Sequence, residues 1–205
     1  MNKIKLITVA LIAIILFMTI TKEREGNSSR IELNSHSTIL AFGDSITYGF
    51  GVAEKASYPA QLQKRTGVRV INGGISGEES SEGLKRLPKL LEKKPDLVIL
   101  CHGGNDIIQK QPEEKLKANL TQMIETIKAS GAKVLLVGVP NFGLLGFNTR
   151  SIYVEVAEQT EVFFEDNVLS EVLSKREFKL DYIHPNEKGY EIMVDALVKH
   201  LKIIN

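Results

Sequence analysis

Acyl transfer requires a nucleophile, a base, a group that orients the base, and donors for an oxyanion. The chain offers Ser45, His184, Asp181, Gly77 and Asn105 for these roles. Ser45 lies in ILAFGDSITYGFG, residues 39–51, where an apolar run stops at Gly43. A Gly-flanked turn there lets the hydroxyl stand clear of a sheet while the residue's own N–H points the same way. DYIHP, residues 181–185, puts Asp181 three residues before His184. On one turn that spacing lets a carboxylate reach imidazole Nδ1. The carboxylate then fixes the tautomer and stabilises the imidazolium formed when the base takes the serine proton. Gly77 supplies an unobstructed backbone N–H, and Asn105 a side-chain amide. Ser45, Asp181 and His184 are therefore the candidate catalytic residues. Ser45, Gly77 and Asn105 are the candidate oxyanion hole.

Taken singly, each residue has a plainer explanation. Asp and Ser cap helices, so Asp44–Ser45 alone reads as a helix start. Gly77 alone is a turn residue, Asn105 and Asp106 alone cap the following helix, and His184 before Pro185 alone is a surface histidine. Asp44 is expected to tie the serine turn to backbone donors. His102 is expected to pack beside a strand, and Cys101 to be buried in it.

The elements that must position these residues alternate. Residues 38–43 (TILAFG), 68–72 (VRVIN), 96–104 and 132–140 read as buried strands, and EVFF at 161–164 as a short fifth. Helical periodicity covers 58–67, 80–94, 112–131, 151–160, 167–174 and 186–204. Pro88 is expected to shorten or kink the second of these. In 112–131, Leu116, Leu120, Met123, Ile124 and Ile127 make one apolar stripe. The alternation predicts an α/β fold, a three-layer α/β/α sandwich on a mainly parallel five-stranded sheet. Sites in such sheets lie at the carboxyl ends of the strands. Gly43–Ser45, Asn72–Gly77 and Gly103–Asn105 each follow a strand on that edge.

GDSITYG, GISGE, GGND and DYIHPN occur in this order, each with its strand-end context. Together they resemble the four blocks of the GDSL, or SGNH, hydrolase superfamily. The similarity is greatest to its thioesterase I, lysophospholipase L1 and arylesterase branch, and it covers nearly all of 38–205. The resemblance implies a flavodoxin-like fold and a serine hydrolase acting on carboxylic esters or thioesters. It implies catalysis by Ser45, Gly77, Asn105 and His184, with Asp181 completing a triad, and no cofactor or metal. Ile46 stands where the family name has Leu, and both are apolar. The alternatives are a carbohydrate O-acetylesterase of the same superfamily and a non-catalytic binding module on the same scaffold.

Formal net charge is +1, without the basic footprint that nucleic-acid binding leaves. Cys101 is the single cysteine, which excludes an intrachain disulfide and a Cys-based zinc site. The four histidines never fall at metal-ligand spacing. Lys3 and Lys5 precede an apolar run from Leu6 to Ile20. No small-residue cleavage site follows it, so 1–21 is expected to be an uncleaved signal anchor, with a cleaved signal peptide as the alternative. The positive-inside rule then places the catalytic domain outside the cytoplasm. Residues 22–37 read as a linker and 38–205 as the hydrolase domain. The partners expected are a small-molecule or lipid ester or thioester and, through the N-terminal segment, a membrane; no protein partner is inferred. Phe142, Leu144, Leu145 and Phe147 crowd the loop after the fourth strand. They are candidates for the wall of an acyl or aryl pocket.

Overall fold

The computed structural model describes residues 30–142 and 148–204. After a short strand β1 (Ile31–Asn34), the chain alternates between strands and helices. The series runs β2 (Thr38–Gly43), α1 (Ser45–Tyr48), α2 (Tyr58–Thr66), β3 (Arg69–Gly74), α3 (Ser80–Leu91), β4 (Leu97–Cys101) and α4 (Gly104–Ile108). It continues with α5 (Glu113–Ala129), β5 (Lys133–Val137), α6 (Ser151–Thr160), β6 (Phe163–Glu165), α7 (Val168–Ser174), α8 (Glu187–Lys199) and β7 (Leu201–Ile204).

Five strands form one sheet in the order β3-β2-β4-β5-β6, and every pairing is parallel. All of β4 and all but the first residue of β2 are buried. Strands covered on both faces need continuous apolar runs, which is why LVILC carries no alternation. α3 packs on α5 and α5 on α6, while α2 and α7 pack on α8, giving a helical layer on each face. Leu116, Leu120, Met123, Ile124 and Ile127 are the buried stripe of α5. The expected three-layer α/β/α sandwich is the fold found.

Register decides where a site can form. Gly43, the last residue of β2, pairs with Gly74 at the end of β3 and Cys101 at the end of β4. Three strands thus stop at one level, and their exit loops share one edge. The chain steps from β2 to β3 on one side and to β4 on the other, so β2 borders the switch point where such sheets bind ligands.

The structure differs from expectation at both ends of the domain. The presumed linker, 22–37, contains β1, which pairs with β7 in a separate two-stranded sheet. The closing helix stops at Lys199 rather than running to Ile204, and Leu201–Ile204 is strand. Strand pairing between distant segments overrides the apolar spacing that made this stretch look helical. α3 continues past Pro88 to Leu91. The described residues from Glu32 onward form one compact unit. The expected anchor, 1–21, lies outside the described residues, and among those described no helix is long and apolar enough to cross a membrane.

Ile99, in the middle of β4, is fully buried. Ile99→Ala is expected to lower the urea-unfolding free energy by about 2–5 kcal/mol, the usual cost of such a cavity. A loss below about 1 kcal/mol would show that the sheet collapses around the gap.

Candidate active site

The turn after β2 is held by its aspartate. Asp44 caps α1: Oδ1 accepts from the Ile46 N–H and Oδ2 from the Gly104 N–H, both at 3.2 Å. Burial pushes this carboxyl above its ordinary range despite those bonds. The serine loop is thereby pinned to the loop after β4. Ser45 opens α1 and is nearly buried.

His184 Nε2 lies 3.0 Å from Ser45 Oγ, and His184 Nδ1 lies 2.8 Å from Asp181 Oδ2. A carboxylate can only accept, so the ring proton belongs on Nδ1 and Nε2 is free to accept the serine proton. Asp181 Oδ1 also accepts the N–H groups of Ile183 and His184, each at 2.8 Å. Burial pushes the Asp181 carboxyl up, but the imidazole and those two N–H bonds outweigh it and hold it below the usual carboxylate range. The segment is fixed from outside as well. The Leu180 N–H donates to the His184 carbonyl at 2.8 Å, and Asn186 caps α8 by accepting from the Gly189 N–H. The Phe50 ring covers the imidazole at 4.4 Å between centroids.

On the oxyanion side, Gly77 is exposed at a φ of 82°, a left-handed conformation that side chains disfavour. Asn105 Nδ2 donates to the Glu78 carbonyl at 3.0 Å. An amide carries two N–H groups, and this bond uses one while fixing the plane of the other. Asn105 shares one cleft with Ser45, walled by Ile46, Ile108, Phe142 and Ile183. Gly77 joins this group through its neighbour Glu78 rather than by lining the cleft. Of the proposed pocket residues Phe142 is in place, and Leu144, Leu145 and Phe147 lie outside the described residues. A roomier hollow beside α4, lined by Gln111, Glu113 and Arg150 among others, holds no such nucleophile and base.

Residues 41–192 match the GDSL-like lipase/acylhydrolase family. The chain belongs to this family. It is 35% identical over 178 residues to an arylesterase of Vibrio mimicus, covering 80% of this chain and 89% of that one. It is 31% identical over 173 residues to thioesterase 1/protease 1/lysophospholipase L1 of Escherichia coli, covering 80% and 83% of the two chains. The solved structure of TesA superposes with a TM-score of 0.72 at 34% identity, covering 81% of this chain and 98% of that one.

Three side chains beside the site of this GDSL-like hydrolase were not singled out from sequence, or were given only a packing role. Buried Glu78 and His102 and half-buried Arg86 form a cluster next to the loops that carry Ser45, Gly77 and Asn105. Glu78 follows Gly77 directly in GISGE, but nothing in the spacing announces its partner eight residues on. His102 was expected to pack, and it does so with an ionic partner. Phe50 carries no sequence signal either, since an aromatic after a turn has no chemistry until its neighbour, here the His184 ring, is known. Asp106, read as a helix cap, instead accepts from the Ser80 N–H and Oγ at 2.8 and 2.6 Å, joining α4 to the start of α3.

Asp181 has a folded pKa below its unfolded one. Such a group contributes stability that is present above the unfolded pKa and is lost as pH falls through the folded value. The urea midpoint should therefore fall below about pH 4, and Asp181→Asn should flatten that fall. Identical acid profiles in the two proteins would overturn this assignment.

Proposed function

We propose that Ser45, His184 and Asp181 hydrolyse esters and thioesters through a covalent acyl-enzyme. As a GDSL-like family member the chain is a carboxylic ester hydrolase. The observation that carries the mechanism is the unbroken line from Asp181 through His184 to Ser45, with bonds of 2.8 and 3.0 Å.

In this mechanism His184 Nε2 takes the Ser45 proton as Oγ bonds to the carbonyl carbon. The carbonyl electron pair moves onto oxygen, which is received by the N–H groups of Ser45 and Gly77 and the Asn105 amide. One such donor contributes on the order of 3 kcal/mol to the transition state. Collapse breaks the bond to the alcohol or thiol, which leaves with the proton from His184. Water then attacks the acyl-enzyme with His184 again as base, releasing the acid and regenerating Ser45. Asp181 stays ionised throughout and keeps the imidazolium in place. No step calls for a metal or cofactor.

The apolar cleft formed by Ile46, Ile108, Phe142 and Ile183 supports an acyl or aryl group as the recognised part of the substrate. The names of the relatives, arylesterase and thioesterase/lysophospholipase, favour the same class. Lys3 and Lys5 ahead of Leu6–Ile20 support export. The catalytic domain then works outside the cytoplasm, tethered by residues 1–21 or released by their removal. Intact mass of the protein from cells distinguishes the two, since only the tethered form keeps that segment.

Ser45→Ala should lower p-nitrophenyl ester turnover by at least about 10³-fold and abolish fluorophosphonate labelling, with the melting temperature unchanged. Retained turnover sinks the mechanism. His184→Ala should lower kcat/KM about as far as Ser45→Ala does, because the two residues act as one unit. A His184→Ala protein that keeps its activity removes His184 as the base.

A further inference from the structure

Glu78 is only 6% exposed, although its neighbour Gly77 stands in solvent. Arg86 grips its carboxylate twice, Nε to Oε1 and Nη2 to Oε2, both at 2.5 Å. His102 Nε2 lies 3.1 Å from Oε2. His102 Nδ1 accepts the Gly103 N–H at 2.9 Å, so the ring proton sits on Nε2 and is donated to Glu78. Burial works against the Glu78 charge, but the bonds from His102 and Arg86 outweigh it and hold the carboxyl below the usual range.

The cluster reaches every loop of the candidate oxyanion hole. Arg86 Nη2 also donates to the carbonyls of Gly43 at 3.2 Å and Gly73 at 2.8 Å, at the ends of β2 and β3. Gly43 lies two residues before Ser45, and His102 three before Asn105. The Glu78 backbone carbonyl accepts the Asn105 amide directly. The guanidinium rests 4.3 Å from the centroid of the Phe42 ring, which limits its movement. At Gly83 of α3, a Cβ would run into the His102 ring, so the helix has left room for it.

Stability alone is a weak reason for this arrangement. A buried ion pair is often no better than apolar residues of the same volume. Rigid, correctly aimed donors, in contrast, matter greatly to catalysis, because small displacements cost large factors in rate.

We propose that Glu78 is a positioning residue of the oxyanion hole: clamped by Arg86 and His102, it sets the direction of the Gly77 N–H and the Asn105 amide. The inference rests on the oxyanion assignment made under the proposed function. Glu78 touches no substrate and acts through its two neighbours. Its charge matters because only a carboxylate satisfies the guanidinium and the imidazole N–H together.

The test is Glu78→Gln in the full chain, assayed with a p-nitrophenyl ester. The expected result is a fall in kcat of roughly 10- to 100-fold with KM changed by less than about twofold. Affinity for a trifluoromethyl ketone, which forms an oxyanion on Ser45, should fall by the same factor as kcat/KM. Arg86→Lys is the second variant, and carries the test if Glu78→Gln does not fold. One ammonium cannot span the same acceptors, so the same kcat-specific loss is expected. A folded variant with full kcat, a loss confined to KM, or ketone affinity unchanged while kcat falls would falsify the inference. Ser45→Ala separates the two levels. If it is inactive while Glu78→Gln keeps full activity, only the positioning role fails. If it remains active, the underlying mechanism fails instead.

Discussion

Parallel strands bring all their carboxyl ends to one edge, and everything at this site depends on that constraint. With Gly43 in register with both Gly74 and Cys101, three loops leave the sheet at the same height. Each needs only a few residues to meet the others. Residues 27 to 60 apart in the chain therefore become neighbours without a long loop being ordered for the purpose. The cost of ordering is met in the sheet, whose β2 and β4 are buried on both faces. The crevice beside β2 is where a fold of this order leaves space for a ligand.

The two halves of the site are secured differently. The Ser45 side is tied by neutral donors to a carboxylate: Asp44 receives the N–H groups of Ile46 and Gly104, so the serine loop and the Asn105 loop share an anchor. The side of Gly77 and Asn105 is tied by charge, through Arg86, Glu78 and His102. Both anchors bridge the ends of β2 and β4. A displacement of one loop must break bonds at both, which favours one arrangement over a range of them.

Much of this was legible in the sequence. The α/β alternation gave the layer order, because continuous apolar runs and 3.6-residue stripes are strong local signals. Ser45, Asp181 and His184 could be proposed as partners because GDSITYG, GISGE, GGND and DYIHPN follow one another in the order of the family's blocks. The structure then brought them within hydrogen-bond reach. What escaped was non-local. β1 and β7 pair across nearly the whole chain, and neither LKII nor IELN carries its partner in its pattern. Arg86 carries no signal of its own in the helical pattern of 80–94, because its partner Glu78 lies outside that stretch. Phe50 gained meaning only from the ring it covers. In each case the decisive neighbour is set by tertiary packing, and side-chain spacing along the chain has no access to it.

Asp181 and His184 belong to one turn, whereas Ser45 stands 139 residues away in the sequence. Asp181 and His184 therefore meet through local chain alone. The contact of His184 with Ser45 instead joins the turn before α8 to the start of α1, so it depends on α8 packing against α2 and α7. In the proposed mechanism, a domain that has lost only this packing keeps Ser45 but not its base.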